Sequence, residues 1–331
     1  MPRLRNLILA ATSLVTVAGL AVAQNAAAPS TATAANGGKP WVAPGTKGSE
    51  IDGTLFHAQV LMSARGFSPG VIDGKKGKSF RLALVSFQEA RGLPESGELD
   101  PATRSALIEA NRPSTVMVKL DPDDVGGRFV EPFPSEPEAQ AELPFLGYRN
   151  MLEKLAERYH TTPRTIVALN GPDKLIGLDQ TLRLPNVVPA ARDYDGTPGN
   201  GPTVMRVLNV DSNQPQGDYV VVDKSDGVMK VYRGAVPAEG SEEGEAQLVA
   251  AFPVTMGSEQ YPLPIGRWKA TTYAFLPPFN YQPKLLNNPK SDRDLKLPPG
   301  PNGPVGVAWL DLTKEHYGIH GTNEPQTIGR A

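Results

Sequence analysis

The apolar residues of this chain change their period along its length, and that change rules out a single helical bundle or a single sheet. Over residues 51–110 and again over 143–170 they recur every three or four positions, and from Tyr219 onward they come in short β-branched and aromatic runs. The first spacing lines one face of a helix, and the second suits a pleated strand. At 331 residues the chain also exceeds the roughly 250–300 residues at which one core stops growing. The 33 glycines and 33 prolines, roughly a fifth of the chain against about an eighth in average usage, shorten every element. The sequence therefore predicts a multidomain α+β protein.

The amino-terminal residues Met1-Pro-Arg-Leu-Arg precede an apolar run from Leu7 to Val22 and an Ala21-Val-Ala23 site before Gln24. These are the charged, apolar and small-residue regions of an export signal. Residues 1–23 are expected to be a cleaved signal peptide; the alternative is an uncleaved anchor, because the run approaches a spanning length. Residues 24–49 hold almost no large apolar side chains, cannot offset the entropy of ordering, and are expected to be a disordered linker. After signal cleavage no membrane span is expected.

A formal net charge of −2 with both signs mixed leaves no basic stripe to neutralise phosphates, so no nucleic-acid partner is expected. The absence of cysteine excludes disulfides, thiolate metal sites and thiol nucleophiles within these residues. The four histidines, His57, His160, His316 and His320, make no His-Glu-x-x-His pattern. A metal site is therefore not expected. His316 and His320 are four apart, a spacing that a strand would place on one face, but no third ligand is evident.

Residues 50–111 read as three short helices, one around Leu55 to Met62, one from Phe80 to Ala90, and one capped by Asp100 with Pro101 in its first turn. Their loops carry Gly66-Phe-Ser-Pro-Gly70-Val-Ile-Asp73-Gly74, Phe87-Gln88, Gly92-Leu93 and Gly97-Glu-Leu-Asp100. This stretch resembles the peptidoglycan-binding type 1 domain, which implies a peptidoglycan contact through Asp73, Gly74, Phe87 and Gln88. The alternative is that these residues only build turns and core.

Residues 112–142, rich in Pro, Asp and Glu, read as a connector with one strand at Thr115–Leu120. Residues 143–187 return to helical spacing and end at Leu182-Arg-Leu-Pro185. The pieces Leu155-Ala156-x-x-Tyr159, Ile166-x-x-Leu169-Asn170 and Leu182-x-Leu184-Pro185 resemble a LysM module of βααβ order, with Gly147-Tyr-Arg-Asn-Met-Leu152 in place of the usual opening. It is read either as a glycan binder or as a spacer packed on its neighbour. Residues 188–205 read as a linker.

Residues 206–331 begin with a hairpin, Tyr219–Asp223 and Val228–Arg233 around Lys224-Ser-Asp-Gly227. Further strands are expected at 247–254, 266–272 and 305–312, as an antiparallel sandwich or barrel. This region carries Pro253-Val-Thr-Met-Gly257, Pro264-Ile-Gly-Arg267 and Tyr317-Gly-Ile-His320-Gly321-Thr322. In order and spacing it resembles the YkuD-type L,D-transpeptidase catalytic domain. That family follows its Tyr-Gly-Ile-His-Gly-Thr strand with Ser-His-Gly-Cys, whose thiolate attacks a peptidoglycan stem-peptide carbonyl.

The resemblance implies a catalytic role for His320, substrate contacts through Tyr317, Gly321 and Thr322, partners in peptidoglycan stem peptides and glycan, and a periplasmic or cell-wall location. It implies no metal or organic cofactor. Taken alone, His320 reads rather as a strand histidine hydrogen-bonded to a backbone group. The sequence ends at Arg330-Ala331, before such a cysteine motif, and the catalytic domain is expected to be C-terminally truncated; a natural pseudoenzyme is the alternative. No sequence pattern points to an oligomeric state.

Overall fold

The computed structural model describes residues 42, 44, 46–237, 246–257, 262–286 and 288–329. The expected signal peptide and most of the expected linker lie outside them. Within them the chain is a mixture of short helices and small antiparallel sheets. No described helix is long and apolar enough to cross a membrane.

Helices α1 (Gly53–Ser63), α2 (Lys78–Ala90) and α3 (Pro101–Ile108) open the fold. Asp52 caps α1 by accepting from the backbone N–H groups of Thr54 and Leu55 at 2.8 and 3.0 Å. Asp100 does the same for α3 through Thr103 at 2.8 Å, with Pro101 at the first helical position. Both caps satisfy N–H groups that a helix start leaves unpaired.

Next come β1 (Thr115–Lys119), the short helices α4 (Pro122–Val125) and α5 (Pro137–Ala141), then α6 (Met151–Arg158), α7 (Pro163–Asn170) and β2 (Thr181–Pro185). Strand β1 pairs antiparallel with β2 from Thr115 opposite Pro185 to Lys119 opposite Thr181. The strand read as part of a connector therefore closes the second module, and residues 120–150 are an excursion between β1 and α6.

That excursion is a strap onto the rest of the chain. Leu146 N–H donates to the Pro299 carbonyl at 2.9 Å, Asn302 N–H donates to the Leu146 carbonyl at 3.0 Å, and Asn302 Nδ2 reaches the Gly147 carbonyl at 2.9 Å. Leu146 joins Tyr281 and Leu297 in a small core with Phe133 and Leu143 against it.

Helix α8 (Gly201–Val207) lies where a linker was expected. The third region then runs β3 (Tyr219–Asp223), β4 (Val228–Gly234), β5 (Ala246–Pro253), β6 (Ala270–Phe275), β7 (Phe279–Tyr281), β8 (Leu295–Leu297), β9 (Ala308–Leu312) and β10 (Gly318–His320). One sheet is ordered β3-β4-β5 and another β10-β9-β6, with β7 and β8 as a separate pair. The strand expected at 266–272 is shifted to 270–275, and 305–307 are turn rather than strand. Gly306 explains the latter: its φ of +60° is a turn geometry that a β strand does not use.

The modules share cores. Helix α1 has buried residues on two sides. Phe56 and Val60 pack with Leu155, Tyr159, Ile166 and Leu182 of the second module. Ala58, Leu61 and Met62 pack with Phe80, Phe87, Val228, Leu248 and Ala251, which joins α1 and α2 to the β3-β4-β5 sheet. The contact is continued by backbone, since Ala251 N–H donates to the Gly66 carbonyl at 3.0 Å and Ser68 N–H donates to the Ala251 carbonyl at 2.8 Å, with Phe67 bridging to Ala251. The turn between α1 and α2 thereby covers the edge of β5.

Candidate functional site

An open groove of about 1370 Å³ is lined by residues of both three-stranded sheets. His320 stands in its wall at the end of β10. Strand β10 pairs antiparallel with β9, which sets His320 directly opposite Trp309. The two rings stack, with centroids 5.1 Å apart and planes 10° from parallel. A Cβ on Gly318 would come 2.5 Å from the Trp309 ring, so the glycine two positions before His320 leaves the space in which that ring lies.

Trp309 is itself held in place. Its Nε1–H donates to Asp311 Oδ1 at 2.6 Å, and Thr272 Oγ1 donates to Asp311 Oδ2 at 2.9 Å. Asp311 is two residues from Trp309 on the same strand, where alternate side chains share a face.

His320 Nδ1 lies 2.7 Å from the Gly321 carbonyl. A carbonyl oxygen only accepts, so Nδ1 carries the hydrogen and Nε2 of the neutral ring is left as a base. The ring reaches solvent through the groove, yet protein atoms around it strip enough water to lower its pKa below the ordinary histidine value, against a smaller opposing effect of the Gly321 hydrogen bond. The ring is therefore neutral at pH 7.

The residues after His320 turn tightly against the sheet. Gly321 N–H donates to the Ala308 carbonyl at 3.1 Å, and Thr322 Oγ1 accepts from Glu324 N–H at 3.1 Å. A Cβ on Gly306 would lie 2.8 Å from Thr322 N, so this turn needs glycine as its neighbour. Tyr317, Gly321 and Thr322 line the same groove as His320. His316 is apart from them: it occupies a turn at φ +66°, not the strand, and pairs with Glu315 at 3.5 Å. The expectation that His316 and His320 share a strand face is corrected by that backbone.

The four residues singled out in the first module lie inside it. Asp73 Oδ1 accepts from Gln59 Nε2 at 3.3 Å and from Lys75 N–H at 3.0 Å. Gly74 N–H donates to Gln59 Oε1 at 2.7 Å with φ at +71°. Phe87 is fully buried, edge-on to Phe67 at 5.6 Å. Gln88 ties the loop to α3, accepting from Gly97 N–H at 2.9 Å and donating to Thr103 Oγ1 at 2.8 Å. None of the four presents a side chain to solvent. From this module, Ser68, Gly70 and Glu89 also line the groove, a contribution that nothing local in the sequence announces.

No group of three or more His, Asp or Glu side chains placed to hold a metal ion occurs among the described residues. A smaller cavity of about 280 Å³ lies between α6 and the segment after β10, lined by Arg149, Glu153, Glu157, His160, Pro325 and Gln326 among others. Burial and the nearby Glu153 carboxylate push the Glu157 pKa well above the ordinary carboxylate value, which favours the protonated form.

Comparison with known proteins adds two family matches and short stretches of similarity to two relatives. Residues 217–331 match the family described as "L,D-transpeptidase catalytic domain", and residues 56–107 match the one described as "Putative peptidoglycan binding domain". The protein named "Putative L,D-transpeptidase YkuD" from Bacillus licheniformis is 64% identical over 33 residues, which are 10% of this chain and 20% of that protein. Its namesake from Bacillus subtilis is 64% identical over 31 residues, 9% of this chain and 19% of its own length. The matched stretches thus span about a fifth of each relative.

Proposed function

We propose, from a chain whose residues 217–331 match the L,D-transpeptidase catalytic domain, that this is an exported peptidoglycan-remodelling protein whose groove performs acyl transfer between stem peptides. The observation that carries the proposal is His320, a neutral imidazole with Nδ1 engaged and Nε2 unprotonated, in the wall of an open groove. The match of residues 56–107 to a peptidoglycan-binding family supports the same polymer as partner. In this reading Asp73, Gly74, Phe87 and Gln88 shape the binding loops from within.

The chain of 331 residues contains no cysteine. We infer that the nucleophile comes from a Ser-His-Gly-Cys segment in an extended protein. The thiol gives its proton to His320 Nε2, the resulting thiolate attacks the carbonyl carbon of a stem-peptide amide, the C–N bond breaks, and the departing amine takes that proton back from the imidazolium. A second amine then attacks the thioester, gives its proton to His320 Nε2, and releases the thiolate as the new amide forms. Trp309 stacks against the ring that changes charge, and a flat aromatic face favours a cation over it. Tyr317, Gly321 and Thr322 bound the acyl pocket, and residues 143–187 form a LysM-like spacer or glycan binder. No cofactor takes part.

A second reading follows from the same missing thiol: residues 1–331 bind the wall without catalysis. The two are separated by incubating purified sacculi with the chain and with a version extended through Ser-His-Gly-Cys, then digesting and weighing the products. The extended protein is expected to yield new stem-to-stem crosslinks and a thioester adduct, while the chain of 331 residues only sediments with the sacculi. Absence of crosslinks and adduct in a folded extended protein would falsify the catalytic reading. Failure of both proteins to sediment would remove the binding reading.

A further inference from the structure

The segment that follows His320 is anchored from outside its own domain. Arg149, at the end of the strap, extends its Nη2 to Glu324 Oε1 at 2.7 Å and its other terminal nitrogen to Glu153 in the first turn of α6. Its backbone N–H also donates to the Glu153 carboxylate. Glu153 is fixed in turn, since it lies under the Asn150 cap and faces Asn302 Nδ2 at 3.4 Å. The guanidinium carbon sits 5.7 Å from the Phe133 ring centre, so strap, helix and ring all constrain this side chain.

Glu324 belongs to the turn that carries the site. Its N–H is capped by Thr322, its carbonyl accepts from Thr327 Oγ1 at 2.6 Å, and its other carboxylate oxygen accepts from Gln326. Two residues upstream of Thr322 is His320, whose Nδ1–H uses the Gly321 carbonyl as partner. The position of that carbonyl, and hence the tautomer of the ring, depends on where the Gly321–Glu324 turn sits. A planar guanidinium bridging two carboxylates fixes direction as well as distance, which an ammonium does not.

The geometry points to Arg149 as a positioning residue for the transfer reaction: through Glu324 it seats the Gly321–Glu324 turn and so holds the His320 ring in its Nδ1–H tautomer, with Nε2 free as the base. The middle module, by this link, sets the chemistry of a groove in another part of the chain. The catalytic consequence rests on the acyl-transfer reading; the link to the ring does not.

The test is long-range proton–nitrogen NMR of histidine-labelled chain at pH 8, with signals assigned by His→Gln variants. In the unaltered protein His320 is expected as the Nδ1–H tautomer, whereas His160, whose Nε2 lies 3.2 Å from the Leu208 carbonyl, is expected as the Nε2–H form and reports that the fold is intact. Arg149→Ala should move His320 to the Nε2–H form and leave His160 unchanged, and Arg149→Lys should restore only part of the Nδ1–H population. Glu324→Gln keeps the size of the side chain and should reproduce Arg149→Ala. It decides the matter if Arg149→Ala disturbs His160 as well. Retention of the Nδ1–H tautomer in Glu324→Gln, or its absence from the unaltered protein, overturns the proposal. In the extended protein Arg149→Ala should lower kcat about tenfold with KM little changed. If unaltered extended protein transfers no acyl group at all, the functional reading fails while the tautomer result still stands.

Discussion

His320 and His160 both sit below the ordinary histidine pKa because burial disfavours their charged forms, yet their consequences differ. His320 faces the groove, so in the extended protein the acid limb of the rate profile should lie below pH 6.5, with activity lost as pH falls and Nε2 takes a proton. A limb centred above pH 7 in a kcat/KM profile would contradict this. His320→Ala should slow acylation by about a hundredfold, the usual scale for a positioned acid–base group, with sacculus binding unchanged. Glu157 carries the opposite sign. Its folded pKa is raised, so the stability it contributes is present below the unfolded value and is lost as pH rises through the folded one. Glu157→Gln should therefore melt higher than the unaltered protein at pH 8, with the gap closing toward pH 5. A lower melting temperature for the variant at pH 8 would contradict the raised pKa.

Among the elements, the strap and α4 show how one contact decides a whole segment. Gly300 has φ near +154°, and a Cβ there would fall 2.1 Å from the Leu146 carbonyl oxygen. Gly300→Ala should cost about 3 kcal/mol or more, because the obstacle is backbone that cannot rotate away; denaturant unfolding measures this, and a loss under about 1 kcal/mol would mean the strap is loosely held. Helix α4 is tied to α6 by Arg158 Nε and Asp124 Oδ1 at 2.8 Å, both almost fully buried. Arg158 also donates to the Arg206 and Val207 carbonyls at the end of α8, so the cation serves three elements. Arg158→Met alone should destabilise by about 3–5 kcal/mol by removing the cation paired with a buried carboxylate, and adding Asp124→Leu should recover part of that loss. No recovery in the double variant would show that the backbone contacts matter more than the charge pair.

These elements also show what could be read in advance. Asp100 with Pro101, the hairpin at Lys224–Gly227 and the strand bearing His320 were legible because cap, turn and alternation are local. Helix α8 was not, since Asn200-Gly-Pro reads as loop until Arg158 and the Val204 cluster give it something to pack on. Nor was the β1–β2 pair, whose partners Thr115 and Pro185 are separated by two helices and the strap. At the site, His320 was legible by its motif. Asp311, Thr272 and the Arg149–Glu324 pair were not, because no short-range pattern joins residues brought together only by sheet pairing or by a contact 175 positions apart.

Across the whole molecule, α1 contributes to two cores and α2 shares one with the β3-β4-β5 sheet. Calorimetry of the full chain should therefore show the helical module and the sheet unfolding in one transition. Two separated peaks, with residues 51–110 surviving the loss of the sheet, would mean the shared core is not energetically shared. A module that holds a polymer through a flexible tether lets its partner domain search a volume set by tether length. Here the Gly66 and Ser68 backbone bonds to Ala251 take the place of a tether. The spacing between the helical module and the β3-β4-β5 sheet is thus built into the fold: under the proposed wall-binding reading, a strand held by the first module would meet the groove at one set interval, which linker changes elsewhere in the chain would leave untouched.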